Sequence, residues 1–160
     1  MLINALSMSA TLPTRRGWAA IRISCHNKSG AGQTYSLKEL RVLSGEAQLP
    51  TVPMTSDTAP SPLVASASVV SGGFEAWRAF DGNTGTYWDS GVTEGMPWLQ
   101  VYFGPGSSIG ISGVIMTSGF AGGAPSSFSV LGSQDLANWT QIAFPFGISW
   151  SNDETKTITW

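Results

Sequence analysis

The sequence predicts an all-β fold, a sandwich of short strands, and three observations lead to it. Apolar and polar residues alternate with a period of two in several short runs. Turn-forming residues separate these runs, with 19 glycines and 9 prolines in 160 residues. No segment has the apolar spacing of an amphipathic helix longer than about two turns. Short strands joined by many turns are typical of a β-sandwich.

The first predicted strand covers residues 20–25, where Ile21, Ile23 and Cys25 alternate with polar residues. This alternation predicts a half-buried strand with the three apolar side chains on the core face. A polar, glycine-containing loop over residues 26–33 is expected to follow.

Residues 35–43 predict a bend that enters a second strand. Residues 45–62 contain four prolines among small polar residues, and we expect a loop without regular structure there. The apolar residues that mark the later strands are Leu99, Val101, Phe103, Phe128, Val130, Ile158 and Trp160.

Composition limits the function. Eight Lys and Arg against ten Asp and Glu give a net charge of −2, which argues against a surface that follows nucleic-acid phosphates. No apolar run is long enough to span a bilayer, and the N-terminus lacks the basic and apolar regions of a secretory signal. Cys25 is the only cysteine, so no disulfide can form within the chain, and its side chain is expected to be buried as a small apolar group. A chain without disulfides is expected to be made in a reducing cytoplasm.

Catalysis is not predicted. His26 is the only histidine, and its neighbour Cys25 would point to the opposite face of a strand, so the two cannot form a thiol–imidazole pair. Asp89 and Glu94 are the best pair of acids, but both lie in a Ser- and Gly-rich stretch where solvated acids are ordinary. No set of nucleophile, base and orienting group can be assembled, and we expect a protein that is not an enzyme.

A turn at residues 79–88 is the most informative local feature. It crowds Asp81, Asn83, Thr84 and Thr86 around glycines, and these hard oxygen donors can wrap a calcium ion. A solvated Asp-Gly-Asn turn between strands is the alternative. The following Tyr87 and Trp88 are expected to enter the core.

Several motifs together resemble one family. They are SAS at 66–68, AFDGNTGTYWDSG at 79–91, PWLQVYFG at 97–104, ISGVIMT at 111–117 and PSSFSVLGSQDLANWTQI at 125–142. Their order and spacing resemble a discoidin domain, also called the coagulation factor V/VIII type C domain, of the galactose-binding-like superfamily. The resemblance covers residues 60–160 and implies a jelly-roll β-sandwich. It also implies that Trp88, Trp98 and Trp139 pack in the core.

The N-terminal third resembles the end of the same domain. Residues 18–23 and 36–42 are similar to the last strands of discoidin domains, which implies a circular permutation in which the usual final hairpin comes first. The expected organisation is an N-terminal arm (1–15) and one sandwich (16–160), with 16–46 as the permuted strands and 47–62 as a Pro-rich joining loop. The alternative is that 16–46 is an unrelated N-terminal hairpin.

The resemblance also implies a metal site. In discoidin domains a structural calcium ion is held by an Asp side chain, nearby carbonyl groups, a Thr and a Glu of the last strand. The matching groups here are the Asp81 side chain, the carbonyls of Arg78 and Asn83, Thr86, the Glu39 side chain and the carbonyl of Lys38. Such an ion would pin residues 79–88 without activating water, and the family also has metal-free members.

A sugar site is expected in the loops at one end of the sandwich. Sugars stack on aromatic rings while charged and amide groups read their hydroxyls, and glycine-flanked aromatic residues have little core to enter. The candidate ligand-binding residues are Phe74, Glu75, Trp77, Arg78, Asp89 and Phe120. The alternatives are that Phe74 plugs the end of the sandwich and that Trp77 belongs to the core.

The preferred function is a non-catalytic module that binds a bacterial cell-surface glycan. Because the chain also resembles small proteins of tailed bacteriophages, we expect it in a virion, on the tail or capsid surface, made in the host cytoplasm. The alternative is a structural virion protein that decorates or joins other virion proteins, or a homo-oligomer, without sugar binding. Basic residues are too few around the candidate loops for membrane binding.

Overall fold

The computed structural model describes residues 16–31 and 33–160, and it confirms the all-β fold. The predicted arm (1–15) lies outside the described residues. The strands are β1 Ala20–Lys28, β2 Ser36–Leu37, β3 Glu39–Ser44, β4 Ala47–Leu49, β5 Val64–Ala67, β6 Trp88–Asp89, β7 Trp98–Tyr102, β8 Gly113–Thr117, β9 Pro125–Ser133, β10 Thr140–Ala143 and β11 Thr155–Thr159. Within the described ranges, the one helical element is a 3-10 helix at Ala76–Phe80. None of the described helices is long and apolar enough to cross a membrane.

Two antiparallel sheets make up the sandwich. One has five strands in the order β10-β9-β1-β7-β5, and the other has four in the order β11-β8-β3-β4. The short strands β2 and β6 pair separately, through Ser36–Asp89 and Leu37–Trp88.

The core lies between the sheets and follows the alternation of the sequence. On β1, Ile21, Ile23 and Cys25 are buried, and on β7, Leu99 and Val101 are buried. Each such aliphatic side chain contributes about 1.5–3 kcal/mol of burial free energy. The largest completely enclosed side chains are those of Trp88, Phe80 and Phe128.

The predicted loop at residues 26–33 is wrong in its first part, because β1 continues to Lys28. A central strand with partners on both sides keeps its extended backbone even where its sequence is polar. Asn27 pairs with Ser127 of β9, and its side-chain amide donates to the Ser127 hydroxyl at 2.8 Å.

The predicted loop at residues 45–62 contains a regular element that was not expected. Gly45, at φ +61°, forms the turn that sends the chain back as β4, and β4 pairs with β3. Glycine adopts this left-handed conformation without a steric penalty, and this permits the tight hairpin.

The predicted core positions of Trp98 and Trp139 are wrong. Both rings lie on the outer face of the five-stranded sheet and enclose the guanidinium of Arg22, whose Cζ is 4.0 Å from the Trp98 centroid and 3.9 Å from the Trp139 centroid. Trp98 faces outward because neighbouring residues of a strand point to opposite faces, and its neighbour Leu99 faces the core.

Residues 16–46 are built into both sheets. β1 occupies the centre of the five-stranded sheet, whereas β3 lies between β8 and β4 in the other. The two strands therefore do not form the hairpin that the sequence predicted. The circular permutation itself stays a prediction.

The strand register collects several loops at one end of the sandwich. Ala67 pairs with Leu99, Lys28 with Pro125, and Glu39 with Thr117. The loops 29–35, 68–75, 90–97 and 118–124 adjoin these pairs, so they meet at this end. We call it the loop end.

Candidate functional site

The Asp81 turn is held by its own hydrogen bonds. Asp81 Oδ1 accepts the backbone N–H of Asn83 at 2.8 Å, and Asp81 Oδ2 accepts the Thr86 hydroxyl at 2.5 Å. Asn83 Oδ1 accepts the backbone N–H of Gly85 at 2.9 Å. Of the polar side chains in the turn, that of Thr86 therefore meets the Asp81 carboxylate, that of Asn83 bonds Gly85 instead, and that of Thr84 is exposed.

Glu39, at the start of β3, is an unusual buried acid. The residue is 8% exposed, and both carboxylate oxygens are buried without a hydrogen-bond partner. The nearest cation is Arg41, with Nη2 at 3.5 Å from Glu39 Oε2. The pKa of Glu39 is raised to about 7, mainly because the carboxylate is buried; the Arg41 guanidinium opposes this shift and the Asp81 carboxylate adds to it. The fold has brought Glu39 and Asp81 together, as the resemblance implied.

These donors fit a calcium ion in chemical type. Two carboxylates with a hydroxyl and carbonyls form the all-oxygen set that Ca²⁺ takes. The buried oxygens of Glu39 accept no hydrogen bond, although Oε2 forms an ion pair with Arg41. Across residues 16–31 and 33–160, no three His, Cys, Asp or Glu side chains are grouped as metal ligands. Any ion here would therefore take its remaining ligands from Thr86 and backbone carbonyls.

Two members of the predicted metal set have their side chains engaged elsewhere. Lys38 Nζ forms an ion pair with Asp153 at 2.5 Å, and Arg78 Nε pairs with Glu75 at 2.8 Å. Only their carbonyl oxygens are candidates for a metal, which is the role that the resemblance implied.

An aromatic cluster stands at the loop end. The rings of Phe74 and Tyr87 stack with centroids 4.6 Å apart, and Phe120 meets Tyr87 edge-on at 5.8 Å. Phe120 is 50% exposed. We call Phe74, Tyr87 and Phe120 the end cluster.

Sequence reasoning missed Tyr87, because it assigned both Tyr87 and Trp88 to the core. Trp88 is indeed completely buried, but Tyr87 is half-buried in the end cluster. Neighbouring residues of an extended segment point in opposite directions, so a buried Trp88 implies that Tyr87 points away from the core.

The remaining predicted ligand residues are occupied within the protein. Arg78 bonds Glu75 and lies 4.9 Å from the Trp77 centroid, and the hydrogen bond from Arg78 lowers the pKa of Glu75. Trp77 is half-buried and packs against the core. Asp89 lies on β6, and its two oxygens accept the Thr34 hydroxyl and the backbone N–H of Gly91, each at 2.7 Å.

A polar cleft of about 530 Å³ also opens between residues 26–31 and 93–96. His26, Lys28, Tyr35 and Glu94 line it. The alternation of β1 continues past Cys25 and places His26 and Lys28 on the outer face, so the signal for these residues lay just beyond the predicted end of the strand.

His26 has no arrangement for acid–base chemistry among the described residues. Its Nε2 lies 2.9 Å from the Ser129 hydroxyl, and that hydroxyl also bonds Gln141 at 3.2 Å. No described carboxylate bonds the ring, so the acid that orients a catalytic histidine is missing from these ranges. Cys25 is enclosed on the opposite face of β1, and burial raises the pKa of its thiol to about 12.

Comparison with known proteins gives one match. The family model of the F5/8 type C domain matches residues 63–160, which covers β5 to β11. Neither a curated protein nor a solved structure matches the chain. Members of this family are carbohydrate- or ligand-binding modules and are typically non-catalytic. The family match and the sandwich agree, and the chain belongs to the F5/8 type C, or discoidin, domain family.

Proposed function

We propose that this protein is a non-catalytic binding module that recognises a cell-surface carbohydrate at the loop end. The observation that carries the proposal is the end cluster, three aromatic rings gathered from separate loops and ending in the half-exposed Phe120. Aromatic faces bind the apolar faces of sugar rings, and binding residues concentrate on loops held by a rigid scaffold.

Polar groups that could read sugar hydroxyls surround the cluster. Asn83 and Thr84 are exposed on the turn just before Tyr87. The polar cleft with Lys28 and Glu94 opens at the same end of the sandwich. An aromatic platform beside a few polar groups is the usual composition of a small-ligand site.

We further propose that a structural calcium ion supports the site. Its ligands would be the side chains of Glu39, Asp81 and Thr86 and the carbonyls of Lys38, Arg78 and Asn83. The buried oxygens of Glu39, which accept no hydrogen bond, support this assignment. Because Tyr87 directly follows Thr86, an ion that fixes the turn would also fix the central ring of the end cluster.

The proposed setting is a bacteriophage virion, on the tail or the capsid surface, with bacterial surface polysaccharide as the ligand. The resemblance of the sequence to small phage proteins supports it. We also retain the proposal that residues 16–46 are the permuted last strands of the domain, since they supply β1 and β3 to the two sheets.

The alternative function is a structural virion protein that acts through protein–protein contacts. The observation that favours it is a second group of exposed aromatic residues, in the segment that follows β10. Phe144 is 45% exposed and Phe146 is 76% exposed.

A glycan array separates these functions. We expect the wild type to bind at least one bacterial surface glycan, and Phe120→Ala to weaken that binding by about tenfold, as loss of a stacked aromatic contact would. Leu136→Ala is the matched control, because Leu136 is an exposed apolar residue at the opposite end of β9. Absence of binding, or equal affinities for the two variants, would reject the proposed carbohydrate site.

A further inference from the structure

Arg41 reaches into the Glu39–Asp81 site from the same strand as Glu39. The two residues are two positions apart on β3, so their side chains point to the same face of the sheet. Arg41 Nη2 lies 3.5 Å from Glu39 Oε2, and only 19% of the Arg41 side chain is exposed. The guanidinium is therefore a largely buried positive charge beside a buried carboxylate.

Two further contacts fix the position of this guanidinium. Arg41 Nη1 donates to the Pro50 carbonyl at 2.6 Å, which ties the group to the segment after β4. The Asp81 turn also lies against it, because a Cβ built on Gly82 would meet Arg41 Nη2 at 3.2 Å. Gly82 has no Cβ and adopts a φ of +71° without a steric penalty, so the turn can pack this closely. Arg41 thus contacts three separate segments around the site.

Arg41 supplies the positive charge of this site. Within residues 16–31 and 33–160, the only salt bridge of Glu39 is the one with Arg41, and the neighbouring Lys38 pairs with Asp153 instead. The fold brings two carboxylates together, those of Glu39 and Asp81, and the guanidinium offsets one of their two negative charges. Charges act on one another more strongly in such a partly buried site than in water.

The guanidinium offsets the charge of Glu39 without using the hydrogen-bonding capacity of its carboxylate. Neither buried oxygen of Glu39 accepts a hydrogen bond, so both keep lone pairs that a metal ion could take. A calcium ion there would share the Glu39 carboxylate with Arg41, and the two cations would repel each other. Because the charge of a site sets its calcium affinity, a fixed positive charge beside the ligands lowers that affinity.

We propose that Arg41 is an internal counterion of the Glu39–Asp81 site and that it sets the calcium affinity of the site. In the metal-free protein the guanidinium offsets the paired carboxylates, and it opposes the binding of an ion to them. Arg41 and calcium are therefore alternatives, and the fold depends on calcium once the guanidinium is removed. This inference rests on the proposed calcium ion and is independent of the proposed carbohydrate site.

Calcium titration by calorimetry tests the proposal, at about pH 9 so that the carboxylates are ionised in every variant. Arg41→Met removes the charge and keeps an unbranched side chain. We expect it to bind calcium at least about tenfold more tightly than the wild type, because a repelling charge is gone. Arg41→Lys keeps the positive charge and should bind with nearly the wild-type affinity. Lys28→Met is the matched control, because it removes one positive charge from the other sheet, and it should leave the affinity unchanged.

Thermal unfolding gives a second readout. In EDTA, Arg41→Met should melt at a lower temperature than the wild type, because loss of one member of a buried ion pair leaves the other charge uncompensated. Saturating calcium should bring its melting temperature back close to that of the wild type. An Arg41→Met protein that folds only in calcium would give the same support.

Three results would overturn the proposal. Equal calcium affinities of Arg41→Met and the wild type would do so and would leave the calcium site itself intact. Affinity of Arg41→Lys as high as that of Arg41→Met would show that the charge is not the cause. Failure of Arg41→Met to fold even in saturating calcium would show that the ion cannot replace the guanidinium.

The titration also separates this inference from the calcium ion on which it rests. Binding by Arg41→Met alone supports the role of Arg41 and rejects the ion in the wild type. Absence of binding by both proteins rejects the ion and the role of Arg41 together. The glycan array tests the carbohydrate site independently of either result.

Discussion

Replacing Glu39 with glutamine should stabilise the metal-free protein at alkaline pH. The pKa of Glu39 rises from its ordinary 4.5 to about 7 because the carboxylate is buried beside Asp81. At 1.36 kcal/mol for each pKa unit, keeping this group ionised in the folded state costs about 3 kcal/mol. Glu39→Gln removes the charge and hence this cost. At about pH 8 in chelator, its free energy of unfolding should exceed that of the wild type by up to about 3 kcal/mol.

The pH dependence follows from the direction of the shift. Between pH 4.5 and about 7 the folded state holds the Glu39 proton more tightly than the unfolded state does. The contribution of Glu39 to stability therefore falls as pH rises through this interval and is constant above it. Glu39→Gln should remove this slope, so the two proteins converge near pH 4.

Urea unfolding in EDTA across this pH range measures the stability difference at about pH 8 and its change with pH. The comparison is valid if the variant and the wild type have the same slope of unfolding free energy against urea concentration. Glu46→Gln is the matched control, because Glu46 is exposed in the turn between β3 and β4. Added calcium should stabilise the wild type at about pH 8 and leave Glu39→Gln unaffected, since the ion requires the ionised carboxylate. Equal stability of Glu39→Gln and wild type at that pH in EDTA, together with no slope in the wild type, would refute the description of Glu39 as a buried acid without a hydrogen-bond partner.

Three further predictions concern Asp81, Cys25 and Gly132. Asp81→Ala should abolish any rise in melting temperature with calcium, and a rise equal to that of the wild type would show that Asp81 is not a ligand. Cys25 should resist thiol reagents at about pH 8 until the protein is unfolded, because the thiol is enclosed and its pKa is about 12; rapid labelling of the native protein would contradict this. Gly132→Ala should destabilise the fold by more than about 1 kcal/mol in chemical unfolding, because a Cβ there would lie 2.2 Å from the Trp18 ring. Gly72→Ala, where a Cβ meets no atom within 4 Å, is its control and should be close to neutral.

Local alternation was enough to predict the all-β class and the inward faces of β1 and β7. Ile21, Ile23 and Leu99 are buried as the sequence indicated, because the period of two is a property of the extended backbone alone. The same reasoning did not find the end of β1 or the existence of β4. Those depend on hydrogen-bond partners such as Ser127, which are distant in the chain.

For the candidate site too, contacts between sequence neighbours could be predicted, and contacts between distant segments could not. Asp81 and Thr86 are neighbours in sequence, so their meeting in one turn could be predicted from the chain. The place of Glu39 beside them came from a family resemblance, and the ring of Tyr87 was assigned to the wrong environment.

The sequence by itself therefore determined which residues face inward and which donors share the Asp81 turn, because both depend on residues within a few positions of one another. Tertiary structure decided that Glu39 meets Asp81, that Phe74, Tyr87 and Phe120 form one cluster, and that Trp98 and Trp139 enclose Arg22 outside the core. Each of these contacts joins segments from different strands or loops. Their meeting depends on the register and packing of whole sheets, which no local pattern encodes.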